Sequence, residues 1–181
     1  MMRRTADQSL IWSVILREKD IYMTTALYPG TFNPIHNGHT DLVNRAANIF
    51  DKVVVGIATS PHKSPSILEL RVKLARTALA HLKNVEVTGF TSLTVDFAKE
   101  VGANVILKGI RTVTDFEYEF QMLSMNRALQ PGMETVFLAP SEQFSYISST
   151  LVRQITSYGG KIDNFVHPEV ARALYEGDIP V

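Results

Sequence analysis

From Thr25 onward the chain alternates two kinds of apolar pattern. Short runs rich in β-branched residues, bounded by polar or turn residues, read as strands: TALY (25–28), KVVVGIAT (52–59), VEVTG (85–89), NVILK (104–108) and ETVFLA (134–139). Between them the apolar positions recur every three or four residues, which predicts helices at about 39–50, 68–81, 93–101 and 114–129, then two more at about 148–158 and 168–176. Strands separated by helices pair in parallel through right-handed crossovers. The expected fold class is therefore α/β: a single doubly wound, Rossmann-like domain with a five-stranded parallel sheet and helices on both faces.

A sheet of this kind binds ligands beyond the carboxyl ends of its strands, near a topological switch point. The segments that follow the five strands are PGTFNPIHNGH, SPHKSPS, FTSLT, GIRTVTDFEYE and PSEQFSYISST. They gather His, Lys, Arg, Gly and clustered Ser and Thr, and this convergence carries more weight than any one motif.

Composition narrows the chemistry. The 181 residues suit one domain, with 45% hydrophobic residues to form a core. Eighteen basic residues balance eighteen acidic ones, so any anion site is local, and neither nucleic acid nor a membrane is an expected partner. The absence of cysteine excludes disulfides, thiolate nucleophiles and thiolate metal sites, and fits a reducing, cytoplasmic setting. Residues 1–22 read as an N-terminal extension outside the core, with 23–181 as the domain. Their apolar run, Leu10 to Leu16, is interrupted by Ser13, lacks a small-residue cleavage site, and falls short of the ~20 residues of a membrane span. Met23 could itself be a start, and no catalytic role is expected before it.

In YPGTFNPIHNGH, Gly30 is expected to take backbone angles closed to other residues, Pro29 and Pro34 to fix the turn, and Gly38 to open a helix whose free N–H groups face outward. His36 and His39, three apart, share one side of the first turn, where the helix dipole and two imidazoles can face one phosphate. A capped turn with one half-buried histidine is the alternative reading. Two histidines without a third ligand make a weak metal site, so no protein metal ligand is expected. The two commonest glycine-rich phosphate loops, GxGxxG and GxxxxGK[ST], are absent.

The pattern T-x-x-P-x-H-x-G-H, written here by Thr31, Phe32, Asn33, Pro34, Ile35, His36, Asn37, Gly38 and His39, resembles the signature of the nucleotidyltransferase superfamily. Together with SPHKSP, KGIRTVTDFEYEFQMLSMNRAL and SEQFSYISSTLVR, it makes the chain from Thr25 to Glu176 similar to the phosphopantetheine adenylyltransferases. The resemblance implies transfer of the adenylyl group of ATP to 4′-phosphopantetheine, giving dephospho-coenzyme A and pyrophosphate. It also implies Mg2+ held mainly by ATP phosphates and water, coenzyme A as a feedback inhibitor, and a homohexamer.

By the same resemblance, Thr31, His39, Lys63 and Arg111 are expected to carry catalysis. ATP is expected to contact Thr31, Phe32, His36 and His39 after the first strand, then Gly109, Ile110, Arg111 and Glu119. A last ATP-binding segment runs through Phe144, Ser145, Tyr146, Ile147, Ser148, Ser149 and Thr150, with Arg153 beside the leaving pyrophosphate. Thr31, Lys63, Thr94 and Lys108 are expected to meet the acceptor. These residue types suit the chemistry, because two polyanions must approach each other and fixed cations and N–H donors relieve their repulsion. A lone loop lysine such as Lys63 is more often simply solvated, and Ser148 to Thr150 at a helix start would by default be caps. Phe116, Phe120 and Leu123, at helical spacing, read as core or subunit interface rather than ligand contacts.

Three positions depart from the family pattern. Lys108 replaces the usual arginine and loses its bidentate fork, Thr94 replaces an apolar residue, and Asn33 replaces aspartate. Asn33 is expected to shape its loop through side-chain hydrogen bonds. Among other readings, a nicotinate-mononucleotide adenylyltransferase shares T-F-D-P-x-H-x-G-H and I-S-S-T-x-x-R, though the DFEYE helix argues against it. A cytidylyltransferase would show R-T-x-G-I-S-T, and a synthetase K-M-S-K-S; both are absent. A nucleotide-binding protein that had lost catalysis would lack the charged site residues, whereas Thr31, His39, Lys63 and Arg111 are in place.

Overall fold

The computed structural model describes residues 23–60 and 64–179. Lys63 and the extension 1–22, with the expectations placed on them, lie outside the described residues. Five strands, β1 (Thr25–Gly30), β2 (Lys52–Ala58), β3 (Val85–Phe90), β4 (Val105–Gly109) and β5 (Glu134–Leu138), form one sheet in the order β3-β2-β1-β4-β5, every neighbouring pair parallel. Six α-helices accompany them: α1 (Asn37–Ala47), α2 (Pro65–Leu79), α3 (Thr94–Glu100), α4 (Val113–Leu129), α5 (Ser149–Ser157) and α6 (Pro168–Tyr175). All sit within a few residues of the predicted ranges.

The period of two along the strands divides the core. Ala26, Tyr28, Val53, Val55, Ile57 and Leu107 point to one face, where they meet Leu42 and Val43 of α1, Val72 and Leu74 of α2, Val152 of α5 and Val170 of α6. Leu27, Val54 and Ile106 point to the other, where they meet Val95, Phe97 and Ala98 of α3 and the stacked rings of Phe90 and Phe97. Because both faces are covered, the buried run Val53 to Ile57 of β2 is apolar throughout rather than alternating. The chain leaves β1 toward β3 through α1 and α2, then returns across the sheet through α3 to β4. The connections from β1 and β4 therefore diverge, opening a crevice at their carboxyl ends.

Gly109, the last residue of β4, allows α1 to close against that crevice. A Cβ there would lie 2.5 Å from Leu42 Cδ1 and 3.4 Å from the Tyr28 hydroxyl. Its smallness thus serves protein packing directly, an explanation that the expected close approach to a nucleotide does not include.

Helix α4 departs from the amphipathic pattern. Of its 17 residues only Asn126 is buried; Phe116, Tyr118, Phe120, Met125 and Leu129 are exposed and Leu123 is half-buried. Phe116 and Phe120 are therefore not core of a single chain, because their apolar neighbours are spread around the helix instead of forming one stripe. Among the described residues no helix is long and apolar enough to cross a membrane.

We expect Gly109→Ala to destabilise the fold by about 1–3 kcal/mol through overpacking against Leu42. In a double-mutant cycle, Gly109→Ala with Leu42→Ala should cost at least ~1 kcal/mol less than the sum of the two changes. Additive costs in chemical denaturation would contradict the contact.

Candidate active site

The segment from Gly30 to Asn37 is held by its carbonyls. Arg71 of α2 donates from Nη1 to the Thr31 carbonyl at 2.6 Å, Arg153 of α5 donates to the Asn33 carbonyl, and the Ser149 hydroxyl donates to the Pro34 carbonyl at 2.8 Å. The N–H groups of Thr31 and Phe32 have no protein acceptor among the described residues. Carbonyls turned into the protein and amides left free are what an anion-binding loop requires.

Gly30 does not supply the unusual backbone angle. It ends β1 in extended conformation, and Phe32 has the positive φ of 43°, a conformation that costs a non-glycine residue about 1–3 kcal/mol. What Gly30 provides is room, since a Cβ would lie 3.0 Å from the Phe32 ring. That ring is edge-on to Tyr28, with centroids 5.3 Å apart, and packs beside His39 at 4.8 Å. Asn33 does not shape the loop as expected. Its Oδ1 is buried without a hydrogen bond, and the carbonyl contacts from Arg71, Arg153 and Ser149 do that work.

His36 is the N-cap of α1 and His39 its third residue. The rings stack with centroids 3.6 Å apart, and the His36 N–H donates to His39 Nδ1 at 3.2 Å. Burial, then the Arg111 charge, lowers the pKa of His36 to about 3. Burial, then His36 and Arg111, holds His39 well below the usual imidazole range. His39 is thus neutral at pH 7, and a neutral imidazole that accepts at Nδ1 carries its hydrogen on Nε2. The free side of the ring is a donor. Burial likewise raises the Tyr28 phenol, keeping its hydroxyl protonated.

Two cations enter from the end of β4, each matched by a carboxylate of α4. Lys108 Nζ lies 3.1 Å from Glu119 Oε2. Arg111 makes a forked contact with Asp115, Nε to Oδ2 at 3.0 Å and Nη2 to Oδ1 at 3.2 Å, and donates from Nη1 to the Ile147 carbonyl at 3.1 Å. Burial would raise Asp115, but its hydrogen bonds from Arg111 outweigh this and lower its pKa.

At the far side, the α5 start brings in Ser148 and Ser149. The Ser148 hydroxyl caps the helix by accepting from the Leu151 N–H at 3.2 Å, the default role expected of that cluster. Asp41 of α1 accepts from both the N–H and the hydroxyl of Ser141, and Arg45 donates to the Ala139 carbonyl. These contacts fix the connection from β5.

Together these elements enclose a cavity of about 550 Å3, a size that suits a small-molecule ligand. Of the predicted residues, Phe32, His36, His39, Lys108, Gly109, Arg111, Glu119, Phe144, Ile147, Ser148, Ser149 and Thr150 line it. Thr31, Ile110, Ser145, Tyr146 and Thr94 do not. Thr31 is exposed at the strand end, Ile110 donates its N–H to the Leu138 carbonyl, and Tyr146 turns toward Phe165. Arg153 does not line the cavity either, and braces the Asn33 carbonyl instead. Lining residues missed from sequence include Tyr28, Thr114, Asp115 and Tyr118. Asp115 was readable in principle, since its spacing from Arg111 is i, i+4 at a helix start.

Both histidines take up protons in the unfolded chain near pH ~6.5 but resist them when folded. Their contribution to stability is complete above ~6.5 and is lost as pH falls toward the folded values. We expect the denaturation midpoint to fall between pH 6.5 and 5, and His36→Gln to flatten that fall. An equal slope in parent and variant would contradict the assignment.

Comparison with known proteins agrees with this architecture. A family model described as cytidylyltransferase-like matches residues 27–155. A Vibrio parahaemolyticus protein assigned as a nicotinate-nucleotide adenylyltransferase superimposes with a TM-score of 0.62 at 21% identity, covering 84% of this chain and 98% of that one. A bifunctional NMN adenylyltransferase/ADP ribose pyrophosphatase from Francisella tularensis gives 0.64 at 15% identity over 86% of this chain, which spans 49% of that protein. At these identities the two structures establish likeness of fold. The family match covers most of the sheet, the histidine turn and the start of α5, and the chain belongs to the cytidylyltransferase-like family of the nucleotidyltransferase superfamily.

Proposed function

We propose that the protein transfers the adenylyl group of ATP to 4′-phosphopantetheine, releasing pyrophosphate and forming dephospho-coenzyme A. The observation that carries the transfer chemistry is the cavity itself, whose lining brings together the neutral donor His39, Phe32 with its free amide, Arg111, Ser148 and Ser149. An oxygen of the acceptor phosphate attacks the α-phosphorus in line. The new P–O bond forms as the bond to the β-phosphate oxygen breaks, and pyrophosphate carries away the charge. The Nε2–H of His39 stabilises the added charge on the α-phosphate without any change in its own protonation. Thr31 and Lys63 orient the acceptor phosphate in this reading.

Magnesium belongs to the proposal on grounds of charge. Lys108 and Arg111 are already offset by Glu119 and Asp115, so the described lining gives a triphosphate little net countercharge. In this reading the ion would be held mainly by phosphate oxygens and water, where it would supply electrostatic neutralisation.

The choice of acceptor rests on the likeness of KGIRTVTDFEYE and SEQFSYISST to phosphopantetheine adenylyltransferases; Lys108, Asp115 and Glu119 of the first segment all reach the cavity. A second reading, nicotinate mononucleotide as acceptor, is favoured by the likeness in fold to the Vibrio parahaemolyticus protein described above. A cytoplasmic location, inhibition by coenzyme A and assembly as a homohexamer complete the proposal. The exposed Phe116, Tyr118, Phe120, Met125 and Leu129 of α4 support assembly.

With ATP and Mg2+, we expect pyrophosphate release with 4′-phosphopantetheine, none with nicotinate mononucleotide, and loss of release on chelation of the metal. Turnover with the nicotinate acceptor alone would establish the second reading. His39→Ala should lower kcat at least ~10-fold with a smaller change in ATP KM; an unchanged kcat with weakened ATP binding would reduce His39 to a binding residue. Analytical ultracentrifugation should give a multiple of the 20.2 kDa subunit, and a lone subunit at micromolar concentration would contradict assembly.

A further inference from the structure

Arg71 stands apart from the other charged residues. It lies on the buried stripe of α2 with Leu74, Ala75 and Ala78, is 5% exposed, and forms no ion pair among the described residues. An unpaired buried cation is costly, and a chain that needed only packing would place an aliphatic residue there. Its donors go to backbone carbonyls of three separate stretches. Nη1 donates to Thr31 at 2.6 Å and to Ala58 at 3.2 Å, and Nε donates to Ile67 at 3.3 Å.

Those three acceptors are the exit of β1, the end of β2 and the first turn of α2. The planar guanidinium therefore fixes the exit of β1, one wall of the crevice, against the end of β2 and the start of α2. Its bond to Thr31 also sets the plane of the Thr31–Phe32 peptide. In a trans peptide the N–H points opposite to the carbonyl, so the Phe32 amide is turned away from Arg71 and toward no acceptor among the described residues. Phe32 is also the residue with positive φ, and a strained conformation persists only where its surroundings over-determine it.

We propose that Arg71 is a positioning residue for adenylyl transfer: without touching either reactant, it holds the Thr31–Phe32 peptide in the orientation that offers the free amide to phosphate. This rests on the reading of the cavity as an adenylyl-transfer site. A lysine at this position keeps the charge but cannot hold three carbonyls with one rigid plane. A methionine fills similar volume and removes the cost of burying the charge.

The test compares the parent protein with Arg71→Lys and Arg71→Met in three measurements: thermal unfolding, kcat and KM with the acceptor the parent uses, and hydrogen–deuterium exchange of the peptide spanning residues 28–36. The expected result is a folded Arg71→Met variant with kcat reduced at least ~10-fold, ATP KM changed less than ~3-fold and faster exchange in that peptide, with part of the kcat recovered in Arg71→Lys. Folded variants with kcat within ~2-fold of the parent and unaltered exchange would overturn the proposal. So would failure of both variants to fold, which would make Arg71 structural. If the parent releases no pyrophosphate with any acceptor, the functional reading fails instead. Arg71 is then judged by exchange alone, faster exchange in a folded variant supporting it and unaltered exchange overturning it.

Discussion

The site depends on the capture of backbone carbonyls in the turn between β1 and α1. A loop that must offer amides to an anion has to dispose of its carbonyls elsewhere, because a buried carbonyl without a donor costs roughly 1–3 kcal/mol. Here Arg71, Ser149 and Arg153 take the carbonyls of Thr31, Pro34 and Asn33. Each donor comes from a helix on the same face of the sheet as α1. The same bonds that fix the loop therefore tie α2 and α5 to the cavity, and the geometry of the site is inseparable from the packing of the domain.

That arrangement also explains the chemistry left to the histidines. With the loop carbonyls turned into the protein, the backbone N–H of His36 donates to His39 Nδ1, and the imidazole is left with its hydrogen on the opposite nitrogen. Burial makes the neutral form the stable one for both rings. A neutral donor suits transfer between two phosphates, since it stabilises developing charge without delivering a proton that would have to be recovered. The fixed cations are restrained in a similar way. Arg111 is locked into a fork by Asp115 and Lys108 is paired with Glu119, so their donors are pre-oriented and their charge is tempered before substrate arrives.

Much of the fold was legible because it follows from period. Five β-branched runs and six segments of helical period become the observed elements, although in α4 the apolar positions do not form the buried face. Twelve predicted site residues meet in one cavity for a related reason, as strand order alone places the exits of β1 and β4 side by side. What sequence concealed were contacts between residues distant along the chain. Gly30 reads as a residue chosen for unusual backbone angles until the ring of Phe32 is seen against it, and Gly109 reads only as a ligand contact until Leu42 is also found packed against it. Arg71 did leave a signal, a cation set in the register of α2's apolar stripe, but only the position of Thr31 gives that cation a purpose. For helix α4 the sequence pattern left core and subunit interface open, and the exposure of Phe116 and Phe120 removes the first of these for the single chain.

The central claim is that His39 faces the cavity as a neutral imidazole with its hydrogen on Nε2. Nitrogen-15 NMR of histidine-labelled protein at pH 7 tests this most directly. The account predicts a His39 ring with protonated Nε2 and an unprotonated, hydrogen-bonded Nδ1, retained when ATP is added. A His39 imidazolium, or a ring protonated at Nδ1 alone, would contradict it.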